Sequence, residues 1–247
     1  MEIRQAAHYG GVTEQGLIVA EGPHLLAELQ RSQWPIQTLI LTPATFARYE
    51  NVARALAVET IVAPEKTVSS IASTATTQGV ISLVRPRSWS WPDLLQGTPL
   101  LVVLDGIQDP GNAGTIILSA EAFGATGVVF LPHSVRITNG KLLRAASGSL
   151  FRLPFRENVS VEELVRQSES HPFVLHALSP AEGASLFAVN LRAPAALVVG
   201  SEGTGVSPEL LLHSHRLSIP TGRVESLNAA IACSLALFEA SRQRSQA

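Results

Sequence analysis

Two nearly uninterrupted apolar runs constrain the fold of this chain more than any other feature. PLLVVLDG, from Pro99, and AALVVGSEG, from Ala195, carry apolar residues at consecutive positions rather than in alternation. A strand of that kind is covered on both faces, as in a parallel sheet between helices. Because parallel neighbours need long crossover connections, the helical and strand patterns that alternate between the runs fit the same architecture. The second half is therefore predicted to be an α/β domain with a parallel sheet.

The first half shows the same alternation on a smaller scale. GLIVAEGPHLLAELQRS starts as a strand over Leu17 to Ala20 and continues with leucines at helical spacing. IQTLILT, ETIVAP and TQGVISLVRP are predicted strands, and ATFARYENVARALA is a predicted helix. RPRSWSWPDLLQGTP, rich in Pro, Trp and Ser, is interpreted as a linker. We predict a smaller α/β domain over 1–86, a linker over 87–98 and a larger α/β domain over 99–247.

Composition excludes several classes of protein. The formal net charge of -2 argues against a protein that coats nucleic acid over its whole surface. The single cysteine, Cys233, rules out an internal disulfide and a cysteine metal cluster, and its apolar neighbours predict a buried thiol. The first residues lack the apolar core of a signal peptide, and no segment offers about 20 uninterrupted apolar residues for a membrane span. We expect a cytoplasmic protein with no membrane association.

Positive charge is concentrated in one stretch. No Asp or Glu lies between Thr126 and Arg156, a span that contains Arg136, Lys141, Arg144 and Arg152 as well as Arg156 itself. In an RNA-binding protein such a stretch would contact phosphates. On charge pattern alone, a solvated face with cations near helix ends explains the stretch equally well.

Three glycine-rich polar loops follow apolar strands in the second half, where α/β sheets place ligands. They are LDGIQDPGNAG, VVGSEGTGVS and IPTGRVESLNAA. No GxxxxGK[ST] motif is present, and Gly200, Gly203 and Gly205 have the reverse of the dinucleotide-binding order. Glu202 would repel a pyrophosphate. The loops therefore suit a neutral or cationic ligand, such as a sulfonium compound with an adenine and a ribose.

The same loops carry a family resemblance. DPGNAGTIILSAEAFGA, VVGSEGTGVS and IPTGRVESLNAAIACSLALFEASRQR resemble, in order and spacing, the three motifs of the SpoU (TrmH-like) family of the SPOUT superfamily. EGPHLLAEL and TQGVISLV resemble the RNA substrate-binding domain, similar to a small ribosomal protein, that many members carry in front. The resemblance implies an RNA methyltransferase that moves a methyl group from S-adenosylmethionine to a ribose 2′-hydroxyl of rRNA or tRNA, with no metal.

The resemblance also implies a C-terminal trefoil knot and a homodimer whose active sites are completed across the interface. Nothing in the strand pattern itself indicates a knot. Ile231, Leu235 and Phe238 form one stripe of the closing helix. That stripe fits a dimer interface and fits ordinary core packing about equally well.

Site residues follow from the motifs, position by position. The resemblance implies that backbone groups at three positions hold the cofactor: Gly200, Ile219 and Leu227. It implies four catalytic polar side chains: Asn112 near the RNA and the active site, Glu202 as the acidic residue of the second motif, and Ser226 and Asn228 as the polar pair near the transferred methyl. Each polar residue alone fits a loop-capping role as well, and only their joint occurrence favours catalysis.

One position departs from the family pattern. The family has an arginine nine residues after the aspartate of its first motif, and counting from Asp109 that position is Leu118. Three interpretations stay open: Arg144, in a segment RAASGS that resembles another family segment, replaces the cation; the protein binds cofactor and RNA without turnover; or it methylates slowly by positioning alone. The third-motif loop is also one residue shorter than usual, which makes the geometry at Ile219 less certain.

A function of another class is a non-catalytic RNA-binding module that assists ribosome assembly. It predicts RNA affinity with a steep salt dependence and no incorporated methyl. An α/β hydrolase or a dehydrogenase is not favoured, because neither GxSxG nor GxGxxG is present.

Overall fold

The computed structural model describes residues 2–180 and 183–246, and the chain separates into two compact units. Unit 1 comprises Met1–Ser88 and Arg136–Arg152, and unit 2 comprises Trp89–Val135 and Leu153–Ala247. The basic stretch therefore folds largely with unit 1, although it lies in the chain between two strands of unit 2. Helices and strands are numbered in chain order.

Unit 1 is built on a four-stranded sheet with the order β1-β4-β2-β3. The β4 strand runs antiparallel to both of its neighbours, and β2 and β3 are parallel. Its strands are β1 (Ile18–Glu21), β2 (Ile36–Leu41), β3 (Glu59–Val62) and β4 (Val80–Val84). Its helices are α1 (Glu2–Tyr9), α2 (Pro23–Arg31), α3 (Pro43–Leu56), α4 (Glu65–Ile71) and α7 (Gly140–Ala145).

The 136–152 segment is held to unit 1 by an aromatic contact and by ion pairs. Trp34 donates its indole Nε1–H to the carbonyl of Phe151 at 2.7 Å, and the two rings lie 4.9 Å apart. Both side chains are buried, so the contact combines apolar burial with a satisfied polar group. Arg152 also pairs with the buried carboxylate of Glu28.

Unit 2 is built on a seven-stranded sheet with the order β7-β6-β5-β10-β8-β11-β9, in which every paired neighbour is parallel. Its strands are β5 (Leu100–Asp105), β6 (Gly127–Phe130), β7 (Phe155–Arg156), β8 (Val174–Leu178), β9 (Ala184–Ser185), β10 (Ala195–Gly200) and β11 (His215–Ser218). Its helices are α5 (Trp91–Leu94), α6 (Pro110–Ala122), α8 (Val161–Ser170), α9 (Pro208–Leu211) and α10 (Ala229–Arg244).

The two apolar runs are adjacent central strands of this sheet. β5 and β10 pair in register from Leu100 and Ala195 to Asp105 and Gly200. Residues 100–104 and 195–199 are all buried, because helices cover both faces of the sheet at these strands. The predicted α/β class with a parallel sheet, preceded by a smaller α/β unit, is confirmed.

Two predictions about local structure were incomplete. The sequence pattern of NGKLLRAASGSLF predicts one helix, but α7 ends at Ala145 and a separate 3-10 helix covers Ser149–Phe151. The break lies at Ser147 and Gly148, whose φ angles are 50° and 87°. A Cβ at Gly148 would lie 2.5 Å from the Cγ of Glu28, so only glycine fits this close approach. Helix α8, which Ser160 caps through the amide of Glu163, was not predicted.

No helix within residues 2–180 and 183–246 is long and apolar enough to cross a membrane.

Candidate active site

A cavity of about 540 Å³ lies at the carboxyl ends of strands β8, β10 and β11 in unit 2. Ligands of α/β sheets bind at this edge, because the strands end there and the loops leave space between them. Its lining combines residues from the ends of the three strands, from the loop after β10 and from the segment that leads into α10: Leu178, Ser179, Pro180, Val199, Gly200, Ser201, Glu202, Gly203, Thr204, Gly205, Val206, Leu211, Arg216, Leu217, Ile219, Thr221, Glu225, Ser226, Leu227, Asn228, Ala229 and Ala232.

Gly200 is fixed by a close approach of the backbone. A Cβ at this position would lie 2.0 Å from the carbonyl carbon of Gly205 and 2.1 Å from the amide nitrogen of Val206. The loop after β10 therefore folds back directly over the end of its own strand. The Asp105 carboxylate at the end of β5 accepts a hydrogen bond from the Ser207 amide at 2.6 Å and holds the returning loop.

Asn112, Glu202 and Asn228 form one hydrogen-bonded cluster, and Glu202 and Asn228 line this cavity. Oε1 of Glu202 accepts bonds from Nδ2 of Asn112 at 2.9 Å and from Nδ2 of Asn228 at 2.6 Å. The Asn228 amide also donates to Oδ1 of Asn112 at 3.1 Å. The three residues come from different motifs of the sequence, and the fold brings them together as the resemblance implies.

Helix caps set the positions of the two asparagines. Asp109 caps α6 and accepts a bond from the Asn112 amide at 2.7 Å. Asn228 caps α10, and its Oδ1 accepts the amides of Ala230 and Ile231 at 3.0 and 3.2 Å. Because Oδ1 of Asn228 faces the helix, its NH₂ group must point away from it, toward Glu202.

The remaining residues implied for the cofactor, together with Ser226, also line the cavity. Ile219 follows β11, and Ser226 and Leu227 precede α10. Ser226 is exposed, whereas Ile219 and Leu227 are half-buried. Upstream in this loop, Thr221 donates its hydroxyl to the carbonyl of Val224 at 2.9 Å, which stabilises a tight turn in the shortened third motif.

Four of the cations named from the sequence lie in unit 1, whereas Arg156 lies in unit 2. Arg144 donates to Ser73 at 2.9 Å, and its guanidinium lies 3.8 Å from the buried carboxylate of Glu21. Arg152 pairs with Glu28. The last two, Arg136 and Lys141, are exposed.

Leu118 lies on the outer face of α6 and is 41% exposed. The α6 and α10 helices run parallel, since Ser119 bonds to Ser234 at 2.7 Å and the rings of Phe123 and Phe238 lie 5.7 Å apart. The exposed apolar residues of both helices therefore occupy the same levels. We call them the α6–α10 patch: Leu118, Ile231, Leu235 and Phe238. Core packing does not explain the three α10 residues, because they are 53%, 41% and 55% exposed.

Burial shifts the pKa of His176 and of Cys233 in unit 2. Burial lowers the pKa of His176 on β8, and the neighbouring His215 ring on β11 lowers it further. Complete burial raises the pKa of the Cys233 thiol to about 12, so this cysteine is unreactive, as its apolar neighbours predicted.

The sequence reasoning missed one wall of the cavity. Leu178, Ser179 and Pro180 at the end of β8 line it, together with Arg216 and Leu217 of β11. The sequence pattern of HPFVLHALS predicts only a strand, although this segment ends in the polar Ser179 and is followed by the turn-forming Pro180. That ending was the available signal, since it repeats the strand-to-loop pattern of the three motifs.

Comparison with protein families gives two matches. The SpoU rRNA Methylase family matches residues 99–238, and an MRM3-like substrate binding domain matches residues 13–82. Together they cover most of both units.

Similar proteins carry related descriptions. An uncharacterized tRNA/rRNA methyltransferase of Synechocystis is 31% identical over 98% of this chain and 90% of its own length. The 23S rRNA (guanosine-2′-O-)-methyltransferase RlmB of Xylella fastidiosa is 36% identical over 62% of each chain. The crystal structure of an AdoMet-bound rRNA methyltransferase from Sinorhizobium meliloti is 28% identical, with a TM-score of 0.85 over 98% of this chain and 93% of that one.

Proposed function

The chain belongs to the SpoU rRNA methylase family, and on that premise we propose that it methylates a ribose 2′-hydroxyl of rRNA or tRNA in the cytoplasm, with S-adenosylmethionine as methyl donor. The observation that carries the proposal is the Asn112–Glu202–Asn228 cluster at the mouth of the cavity. Residues distant in sequence converge there on one carboxylate beside a space for a small molecule.

The cavity fits the methyl donor in size and chemistry. Its volume of about 540 Å³ is within the usual range for small-molecule sites. Leu178, Val199 and Leu217 offer apolar walls for an adenine ring. Glu202 and Glu225 line the cavity together with Arg216, so the lining carries more negative than positive charge, which suits a sulfonium cation and disfavours a phosphate. Backbone groups at Gly200, Ile219 and Leu227 are proposed to hold the adenine and methionine parts.

S-adenosylmethionine, when bound, supplies an activated methyl group. The chain then has to align the ribose oxygen with that methyl, which is a large source of rate acceleration. Asn112, Ser226 and Asn228 are proposed to position the two reactants. A trefoil knot in unit 2 is proposed from the family match.

Unit 1 is proposed to bind the RNA. The proposed domain limits are 1–86 for the RNA substrate-binding domain, 87–98 for the linker and 99–247 for the methyltransferase domain. The MRM3-like match over residues 13–82 supports this role. Arg136 and Lys141 are exposed and are proposed to contact phosphates. Arg144 and Arg152 contribute positive charge to the same segment, although both also pair with buried carboxylates.

The α6–α10 patch is proposed as the surface of a homodimer. Contiguous exposed apolar residues on two neighbouring helices are typical of an interface. Replacing Leu235 with Asp places a charge in the patch, and we expect sedimentation velocity to show a monomer where the wild type is a dimer. A wild type that sediments as a monomer at micromolar concentration would contradict the dimer.

The central experiment combines calorimetric titration with S-adenosylmethionine and transfer of a labelled methyl to ribosomal and transfer RNA. We expect micromolar binding, about -8 kcal/mol, and incorporation at a ribose 2′-oxygen. Asn112→Ala and Asn228→Ala should each abolish incorporation, whereas Asn190→Ala, an exposed asparagine that bonds only locally to the Arg192 amide, should not. Full transfer by both cluster variants would contradict the proposal.

A second candidate is an RNA-binding protein without turnover. It is favoured by Leu118, because an apolar side chain stands where the family pattern has a cation. It predicts cofactor or RNA binding with no incorporated methyl. Leu118→Arg separates the two candidates: a large gain in rate indicates an impaired enzyme, and incorporation by the wild type excludes the second candidate.

A further inference from the structure

We propose that Glu202 is the proton acceptor of the methyl transfer, with Oε2 as the accepting atom and Asn112 and Asn228 as the residues that position it. This inference rests on the proposed function and gives the reaction a base that does not depend on a cation at position 118. It assigns different roles to the three members of the cluster.

The two carboxylate oxygens of Glu202 have different surroundings. Both amide groups of the cluster donate to Oε1, at 2.6 and 2.9 Å. Among the described residues, none donates a hydrogen bond to Oε2. Oε1 therefore fixes the orientation of the carboxylate, and the lone pairs of Oε2 remain available to a hydroxyl group.

Hydrogen bonds at the first turns of α6 and α10 hold the two donors in place. Asn228 is anchored by the first amides of α10, and Asn112 is held through its own backbone amide by the cap of α6. The third bond of the cluster, from Asn228 to Asn112, links the two donors. A carboxylate held by these hydrogen bonds loses little conformational entropy when it meets the substrate. A general base must also lie within hydrogen-bond reach of the proton that it accepts.

Glu202 also has no cation beside it. Within the described residues, no Lys, Arg or His forms an ion pair with this carboxylate, and its two partners are neutral amides. Glu21 and Glu28, by contrast, each lie beside an arginine. A paired carboxylate is a weak proton acceptor because the neighbouring charge stabilises its ionised form. Among the described residues, Glu202 has only these neutral amide partners.

The position of Glu202 connects the cavity with the solvent. It lines the space proposed for the methyl donor and is also exposed to solvent. The other carboxylates near this sheet edge are less suited. Asp105 is half-buried and accepts the Ser207 amide, and Glu225 lies in the third-motif loop outside the hydrogen-bonded cluster.

The chemical step balances with these groups. The ribose O2′ forms a bond to the methyl carbon while the carbon–sulfur bond breaks and its electron pair stays on sulfur. The hydroxyl proton passes to Oε2 of Glu202. The products are a 2′-O-methylated ribose, a neutral thioether and a protonated carboxyl that returns its proton to solvent.

Glu202→Gln tests the role because it preserves the size of the side chain and removes its basicity. We expect kcat to fall by about 10²- to 10⁴-fold, the usual contribution of general base catalysis. The Kd of S-adenosylhomocysteine, measured by calorimetry, should stay within about twofold of wild type, because this neutral ligand gains little from the charge of Glu202. Glu209→Gln, which removes an exposed carboxylate of α9 outside the cavity, should change neither quantity.

Chemical rescue distinguishes a base from a structural carboxylate. Glu202→Ala leaves space at the cluster, and added formate should raise its transfer rate severalfold in proportion to formate concentration. Rescue by formate and loss of kcat at unchanged affinity for S-adenosylhomocysteine would support the role.

Two results would overturn it. If Glu202→Gln transfers methyl at the wild-type rate, or if Glu225→Gln alone loses kcat, Glu202 is not the acceptor although the proposed function stands. If the wild type binds S-adenosylmethionine and RNA but transfers no methyl, the proposed function and this role both fail.

Discussion

Glu28 in unit 1 and Glu202 in unit 2 both accept hydrogen bonds from side-chain nitrogens, but their environments are opposite. Glu28 is 5% exposed and is bonded by two arginines, Arg31 and Arg152. Glu202 is exposed and is bonded by two neutral amides. A buried charge is tolerated only when it is paired, and the oxygens of a paired carboxylate are occupied by its partners rather than available to a substrate.

The same contrast separates Glu202 from the paired carboxylates of both units. Unit 1 uses buried carboxylates to hold the 136–152 segment, through Arg144 at Glu21 and Arg152 at Glu28. Unit 2 also contains a buried paired carboxylate, Glu239 with Arg242 on α10, but Glu202 lines its cavity with only neutral partners among the described residues. The paired carboxylates of both units therefore serve assembly, and the Glu202 carboxylate is available for chemistry.

The largest expected effect tests the rigidity of the unit 2 edge. Gly200→Ala places a methyl group 2.0 Å from the Gly205 backbone, which cannot move aside as a flexible side chain could. We expect a loss of unfolding free energy on the order of 3 kcal/mol, measured by chemical denaturation, together with loss of cofactor binding. Gly203→Ala, where a Cβ meets nothing within 4 Å, is the matched control and should stay near wild type in stability.

The next effect tests whether the buried carboxylates of unit 1 are structural. Glu28→Gln removes the carboxylate charge that Arg31 and Arg152 share, and we expect a loss of about 2 kcal/mol of unfolding free energy, less than for a fully buried pair because Arg152 is partly solvated. Glu50→Gln breaks the exposed pair with Arg54 on α3, and its cost should be about 0.3–0.5 kcal/mol. Equal losses in the two variants would remove the distinction between buried and exposed pairs.

Arg144 provides a sharper test, because it was named both as a substitute for the missing cation and as part of an RNA contact. Its bonds to Ser73 and Glu21 predict that Arg144→Ala lowers the stability of unit 1 by about 1 kcal/mol. Binding of S-adenosylmethionine should not change. If methyl transfer is lost at unchanged stability and RNA affinity, Arg144 acts in catalysis and the contrast between the units is broken.

The smallest effect concerns pH. Burial lowers the pKa of His176, so the folded protein keeps this ring neutral while the unfolded chain takes up a proton below its usual pKa near 6.5. Its contribution to stability is complete above that pH and is lost as the pH falls toward the folded-state pKa. The melting temperature should therefore fall between pH 7.5 and 5.5. In His176→Gln, unfolding takes up to one proton fewer, so the melting temperature should depend less steeply on pH. An unchanged slope would show that His176 is protonated equally in both states.

The sequence predicted the architecture of unit 2 closely, because long buried strands and loops rich in glycine leave strong local signals. The β5 run lies within one residue of its observed limits, and β10 begins at the first residue of its run but ends three residues before the last. The end of α7 was predicted less well. The helix breaks at Gly148 because the Glu28 side chain, which is distant in sequence, lies close to this position. Members of the candidate site were identified only through the joint occurrence of three motifs.

Sequence alone determined the fold class, the strands of the parallel sheet and the residues of the Asn112–Glu202–Asn228 cluster, because hydrophobic period and motif spacing are local properties of the chain. Only the tertiary structure decided which carboxylates have charged partners. Arg144 and Arg152 lie more than 100 residues from Glu21 and Glu28 in the chain, and the contacts between them form only when the 136–152 segment packs on unit 1. Pairing depends on distances of a few ångströms, and these distances follow from packing rather than from residue type.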